Sequence, residues 1–363
     1  MFFYIIIFLF LFILSILDTS PRFSLKVRRN LYLFCGLFFF FLSFIRWETG
    51  TDWGSYFSYF RDNDRIEDFQ FYSFETFFVY VNYFVKVFSG SYTTLLFFFA
   101  IIIFPLKYVT IWKLSTFPFL SLLLYLLLYR CDIFFVRETI ALAIAMYSIR
   151  FIIQNKRFYF LLSILVAMQF HSSIVVFIFA YYIYHLKLTK YRVCIIVVGL
   201  IFSVTTSTVL MSFLGNNIGG VIGWKINAYI DSGSSETFGT GLSIGETIFR
   251  GTLNRAFFII VFLYTSYKYK TNQVVVGLVK IYMANFVLFL ITCPISVALS
   301  RIVNSYEQVS IILISYFLMS IGKRNRKLVV FLLGMYFFVR FYMSTLTGGY
   351  SDLFIPYKSI LSI

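Results

Sequence analysis

Apolar residues run along this chain in blocks of roughly 15 to 20, separated by short polar clusters and without strict alternation. At 1.5 Å rise per residue such blocks reach roughly 20 to 30 Å as helices, close to the hydrocarbon thickness of a bilayer. The pattern therefore predicts an all-α polytopic membrane protein, not the alternating strands of an outer-membrane barrel. Counting blocks gives about twelve spans, within a range of about 10 to 13. They begin with MFFYIIIFLFLFILSILD and continue through 31–46, 93–112, 117–130, 138–153, 158–170, 173–186, 193–213, 253–266, 274–292, 302–320 and 328–343. The first block lacks a basic leader and a small-residue cleavage site, so it reads as a retained span.

Charge then orients the blocks. Lys and Arg gather in the loop 21–30, at 154–157, in HLKLTKYR, in YKYKTNQ and in GKRNRK, and one topology places all of these on the cytoplasmic side. The block 76–89, which contains Asn82 and Lys86, would invert every later loop if it crossed. It is expected to lie flat at the outer surface as an amphipathic segment. What remains outside is a first loop at 47–92 with that interfacial helix, a second at 214–251 and a tail at 344–363, all on a single membrane domain spanning 1–363.

Composition agrees: 60% hydrophobic residues, 13% charged and 50 Phe leave too much apolar surface for a soluble fold. The formal charge of +16 is accounted for by the inner loops, so nucleic acid is not expected as a partner. Cys35, Cys131, Cys194 and Cys293 are scattered without a CxxC and read as small apolar residues.

Against that topology the outer span ends carry arginines: Arg46, Arg130, Arg137, Arg250, Arg255 and Arg301. Their planar donor forks suit phosphate oxygens, and Arg137 and Arg301, embedded in apolar sequence, are the least easily explained by snorkelling. His171, at a span end on the same side as Arg137, is a candidate base, and Asp52 in GTDWGSY is another. Trp53, Tyr56 and Trp224 offer rings for sugar faces. Glu138 could simply neutralise Arg137. Asp62-Asn63-Asp64 has DxD form but sits in a charged loop, and no metal or other cofactor is expected. Arg301 and Ser305 share one helical face, and Tyr350, Asp352 and Tyr357 could fold back from the tail.

In order and spacing, Arg46 with GTDWGSYF, the run Arg137 to Ala143, Phe170-His171-Ser172-Ser173 and Ser300-Arg301 through Tyr306 resemble the EpsG-like family of polysaccharide polymerases, the Wzy-type O-antigen and capsule polymerases. The resemblance covers roughly residues 40 to 320, with Glu138 standing where the family commonly has Gln. It implies a GT-C-type inner-membrane enzyme that works without metal. Its substrates would be repeat units on undecaprenyl pyrophosphate, joined at the periplasmic face. Arg137, Arg301, Arg46 and Arg250 would then hold the pyrophosphate. His171 or Asp52 would act as base, while Asp52, Trp53, Tyr56, Glu138 and Tyr306 would contact sugar or acceptor. Membrane lipids, and a chain-length regulator, are the expected partners. A ligase or another GT-C transferase is the nearest alternative, and a flippase for lipid-linked glycan the more distant one. A flippase expects charges along a path through both leaflets.

Overall fold

The computed structural model describes residues 1–20, 23–71, 74–135, 137–187, 244–293, 299–348 and 351–362. The protein is all-α and polytopic: among the described residues helices predominate and no strand forms. Among the described residues six helices are long and apolar enough to cross a membrane: Leu25–Ile45, Tyr92–Leu114, Gly245–Lys268, Gln273–Thr292, Arg301–Ser320 and Lys323–Leu346. Shorter apolar helices, among them Phe2–Leu17 and Arg157–Met168, accompany them. The expected span at 193–213, Trp224, Tyr350 and most of the expected loop 214–251 lie outside the described residues.

The chain forms two compact units, Met1–Ile178 with Ile311–Ile363, and Phe179–Ser310. The first is built around α7 (Pro118–Tyr129), where Phe119, Leu120, Leu122, Leu123 and Leu124 are all fully buried. A helix apolar on every side must be wrapped by others. Here α1 (Phe2–Leu17), α6 (Tyr92–Leu114) and α15 (Arg326–Phe341) pack on it, and α2 (Leu25–Ile45) packs on α6. Asp18, just past α1, ties three elements together: its carboxylate meets Arg28 of α2 at 2.6 Å and accepts from the Phe119 amide at the start of α7 at 3.2 Å. Pro118 sits at the first turn of α7, where its missing N–H costs nothing.

Between α2 and α6 the chain makes α3 (Trp53–Arg61), α4 (Ile66–Phe71) and α5 (Thr76–Ser89). The expected block 76–89 is thus a helix of 14 residues, and Gly90 ends it at φ +64, a left-handed cap that lets α6 begin at Tyr92. Helices α8 (Arg137–Ile153) and α9 (Arg157–Met168) form an antiparallel pair that turns at Asn155, and α8 also packs on α6. A 3-10 segment, Ser172–Phe179, follows.

In the second unit α10 (Ala180–His185) packs on α12 (Gln273–Thr292), with Lys280 Nζ donating to the Tyr184 carbonyl at 2.9 Å. Helix α11 (Ile244–Lys268) runs beside α12, whose first turn is capped by Asn272. A 3-10 turn at Leu299–Val303 and the short α13 (Asn304–Glu307) complete the unit. Helix α14 (Val309–Ser320) then returns the chain to the first unit, where Thr116 donates its amide to the Ser315 hydroxyl at 3.2 Å and its own hydroxyl to the Ser315 carbonyl at 2.8 Å.

Candidate functional site

Arg137 opens α8, and its environment is the centre of the site. The guanidinium stacks over Phe74 at 4.4 Å and lies 5.7 Å from the Phe78 ring, which fixes its plane. Its Nη1 pairs with Glu75 Oε2, and both side chains are largely buried. Glu75 stands at the N-cap of α5 yet does not cap that helix with its side chain. The second carboxylate oxygen instead accepts from the Ser172 amide at 2.9 Å. That reach is possible because the first-turn amides of α5, Phe77 and Phe78, donate to the Gln169 carbonyl at the end of α9. One carboxylate therefore joins Arg137 to the Phe170-His171-Ser172-Ser173 segment. His171 follows directly, its Nδ1 sharing a hydrogen bond of 2.7 Å with Ser173 Oγ, which orients the ring.

Tyr56, on α3, closes the group. Its phenol lies beside the Arg137 cation and feels the charges of Asp52 and Glu75. Burial pushes its pKa up, the cation beside it pulls it down, and the two carboxylates push it up again. Asp52 precedes α3 without capping it, and its placement depends on the segment before it. There the Trp47 amide donates to the Lys358 carbonyl at 3.0 Å and the Gly50 amide to the Leu353 carbonyl at 2.8 Å, while Arg46 bridges to Ser359. Gly50 holds φ +107, where a Cβ would come within 3.2 Å of Arg46 Nη1. The tail thus does fold back, and Tyr357 joins it to α2 by donating to the Leu42 carbonyl at 2.6 Å.

Three expectations change. Arg46 was expected to face outward as a phosphate ligand; it is 3% exposed, donates to the Phe135 carbonyl at 2.6 Å and lies over the Phe135 ring. Its donors hold the turn before α8. Trp53 was expected to stack on sugar, but Trp47, Phe57 and Tyr92 pack against its ring at 5.0, 4.7 and 5.6 Å. Tyr306, expected at the acceptor, is fully buried.

Glu138 is half-buried beside Arg137, but the carboxylate recorded on that guanidinium is Glu75. Arg250 and Arg301 belong to the second unit and both are exposed. That unit has an ion pair of its own: Arg255 meets Glu307 at 2.8 Å and stacks over Phe289 at 3.9 Å. The acids of the DxD stretch are each matched to a cation, Asp62 to Arg61 at 2.6 Å and Asp64 to Lys86 at 3.2 Å.

Sequence reasoning missed Glu75, whose partners lie 62 and 97 residues further along the chain. It also missed Lys107, 1% exposed in the apolar α6, which meets Asp132 at 2.5 Å. A lysine inside a span was signal enough. Asp132 also accepts from the Tyr125 hydroxyl and ends three consecutive residues, Arg130, Cys131 and Asp132, with φ near +50. Such strain persists only where the surroundings over-determine it.

A family model described as EpsG family matches residues 29–359. The chain belongs to the EpsG family. Neither the curated proteins nor the solved structures that were searched contain a match. In this EpsG-family chain the matched stretch covers Arg46, Asp52, Tyr56, Glu75, Arg137, His171 and Arg301. It runs to the tail residues that pair with the Arg46–Gly50 segment.

Proposed function

We propose that this EpsG-family protein is an oligosaccharide repeat-unit polymerase, a metal-independent glycosyltransferase. It would transfer a growing glycan from undecaprenyl pyrophosphate to the non-reducing end of a lipid-linked repeat unit, at the periplasmic face of the inner membrane. The observation that carries this reading is Arg137, whose guanidinium is plane-fixed by Phe74, flanked by Tyr56 and linked through Glu75 to the His171 segment. A fixed cation beside a candidate base is what cleavage of a glycosyl–pyrophosphate bond requires, because negative charge develops on the leaving group while the acceptor hydroxyl loses a proton.

In this mechanism the acceptor oxygen attacks the anomeric carbon as the bond to the pyrophosphate oxygen breaks, and the electron pair leaves with the pyrophosphate. The transition state is oxocarbenium-like. Arg137 offsets the leaving charge. With Nδ1–H donated to Ser173, His171 presents Nε2 to take the hydroxyl proton. Asp52 and Tyr56 orient the acceptor, and Glu138 borders the same helix start. For Arg301 and Arg250 the pyrophosphate reading rests on their sequence setting alone. Arg46 is a positioning residue.

The test is glycan length on gels from a deletion strain complemented with wild type, Arg137→Ala, His171→Ala or Asp52→Ala, each checked for membrane expression. Wild type should restore a ladder and Arg137→Ala should leave single repeat units. Long chains retained on the lipid carrier in the deletion strain would point to a ligase, and absence of external repeat units to a flippase. Either result sinks the polymerase reading.

A further inference from the structure

The Arg137 pocket is built for an anion and already holds one. Two donors of unlike origin, a side-chain guanidinium and the backbone N–H of Ser172, converge on the two oxygens of a single carboxylate. That carboxylate is not needed by its own helix, whose first-turn amides are served by Gln169. It arrives from the start of α5, a helix bounded by Gly90 at its other end. Two donors that meet the two oxygens of one carboxylate also suit two oxygens of a phosphate group.

We propose that Glu75 is an internal stand-in for a substrate phosphate, holding the Arg137 and Ser172 donors in place until the pyrophosphate of a lipid-linked glycan displaces it. The inference rests on the pyrophosphate reading above and adds how the site is regulated. With Glu75 seated, Arg137 stays preorganised and its buried charge matched, so stray anions compete poorly. Substrate binding must open the pair, and the apparent affinity is lowered by the fraction of protein in which it is closed. Removing the carboxylate removes that competition. A residue that merely positions Arg137 would give the opposite sign, since losing it would loosen the guanidinium and weaken binding.

The experiment is calorimetric titration of a short-chain prenyl pyrophosphate into the full-length protein in nanodiscs, with empty nanodiscs subtracted. Glu75→Gln keeps the shape and loses the charge. Glu75→Asp keeps the charge but is too short by one methylene to span both donors, and so guards against misfolding of the neutral variant. Affinity should rise from wild type through Glu75→Asp to Glu75→Gln. The largest step should be on the order of tenfold, as expected if the closed pair is populated about nine times in ten. Arg137→Ala should abolish binding. If both Glu75 variants bind as wild type does or more weakly, while Arg137→Ala still abolishes binding, the stand-in is overturned and the pyrophosphate reading survives. If no form binds the probe, the pyrophosphate reading falls and takes the proposal with it.

Discussion

Two acid–base pairs of the first unit, Lys107 with Asp132 and Arg137 with Glu75, differ in what encloses them. Lys107 and Asp132 are 1% and 6% exposed, with the Tyr125 hydroxyl on the acid and the Tyr125 and Tyr129 rings near the ammonium. Arg137 and Glu75 are 13% and 11% exposed, and the acid spends its second oxygen on a backbone amide of another segment. The first pair is closed on itself and locks the left-handed turn at 130–132. The second is less enclosed and links Arg137 to the Ser172 amide. Depth and partners, more than charge, distinguish the two pairs.

The comparison breaks most plainly at the deeper pair. Lys107→Met should cost about 3 kcal/mol or more, the penalty for stranding one member of a buried pair. The companion change Lys107→Met with Asp132→Asn should recover part of the loss. Thermal unfolding of purified protein in detergent reads both, and a single variant as stable as wild type would end the locking role. Arg137→Ala should behave in reverse, lowering polymer yield on gels by a factor of about 100 or more while costing less stability than Lys107→Met, because Glu75 keeps the Ser172 amide as a partner. A stability loss matching that of Lys107→Met would erase the distinction.

A third pair, Asp18 with Arg28, extends the series by pH. Burial pushes the Asp18 carboxyl up to about 6, outweighing the guanidinium beside it. The folded state then binds a proton more tightly than the unfolded chain, so this group adds stability as pH falls from about 6 towards 4 and removes it as pH rises through the same window. Melting curves of Asp18→Asn should therefore depend less on pH between about 4 and 6 than those of wild type; identical slopes would refute the assignment. The smallest effect belongs to the exposed pair of Lys358 and Glu48, at 3.1 Å. Lys358→Ala should shift stability by less than about 0.5 kcal/mol, and a larger shift would mean that exposure is a poor guide in this protein.

The helical membrane class was legible because apolar block length is set by bilayer thickness, a constraint local to each block. Arg137 was legible too, since arginine at a span end is costly enough to need a reason. Its partner was not. Glu75 opens an amphipathic block as many acids do, and only the docking of α5 on Gln169 turns its carboxylate towards Arg137 and Ser172. Trp53 shows the converse error: a tryptophan in a polar loop looks like a sugar platform until Trp47, Phe57 and Tyr92 are seen to pack on it. Arg46 was read from its address at a span end, whereas its role comes from the Phe135 carbonyl 89 residues later. Pairings at such distances depend on tertiary approach, which periodicity does not carry.

The backbone pairing of Trp47 and Gly50 with Lys358 and Leu353 has a consequence for biogenesis. The turn that sets Asp52 is made early in translation but can be closed only after residue 358 has left the ribosome and reached it. A nascent chain that stalls, or a message truncated near its end, would yield a bundle without a finished turn. Order at this turn would thus wait on a segment translated far later, with no separate inspector required.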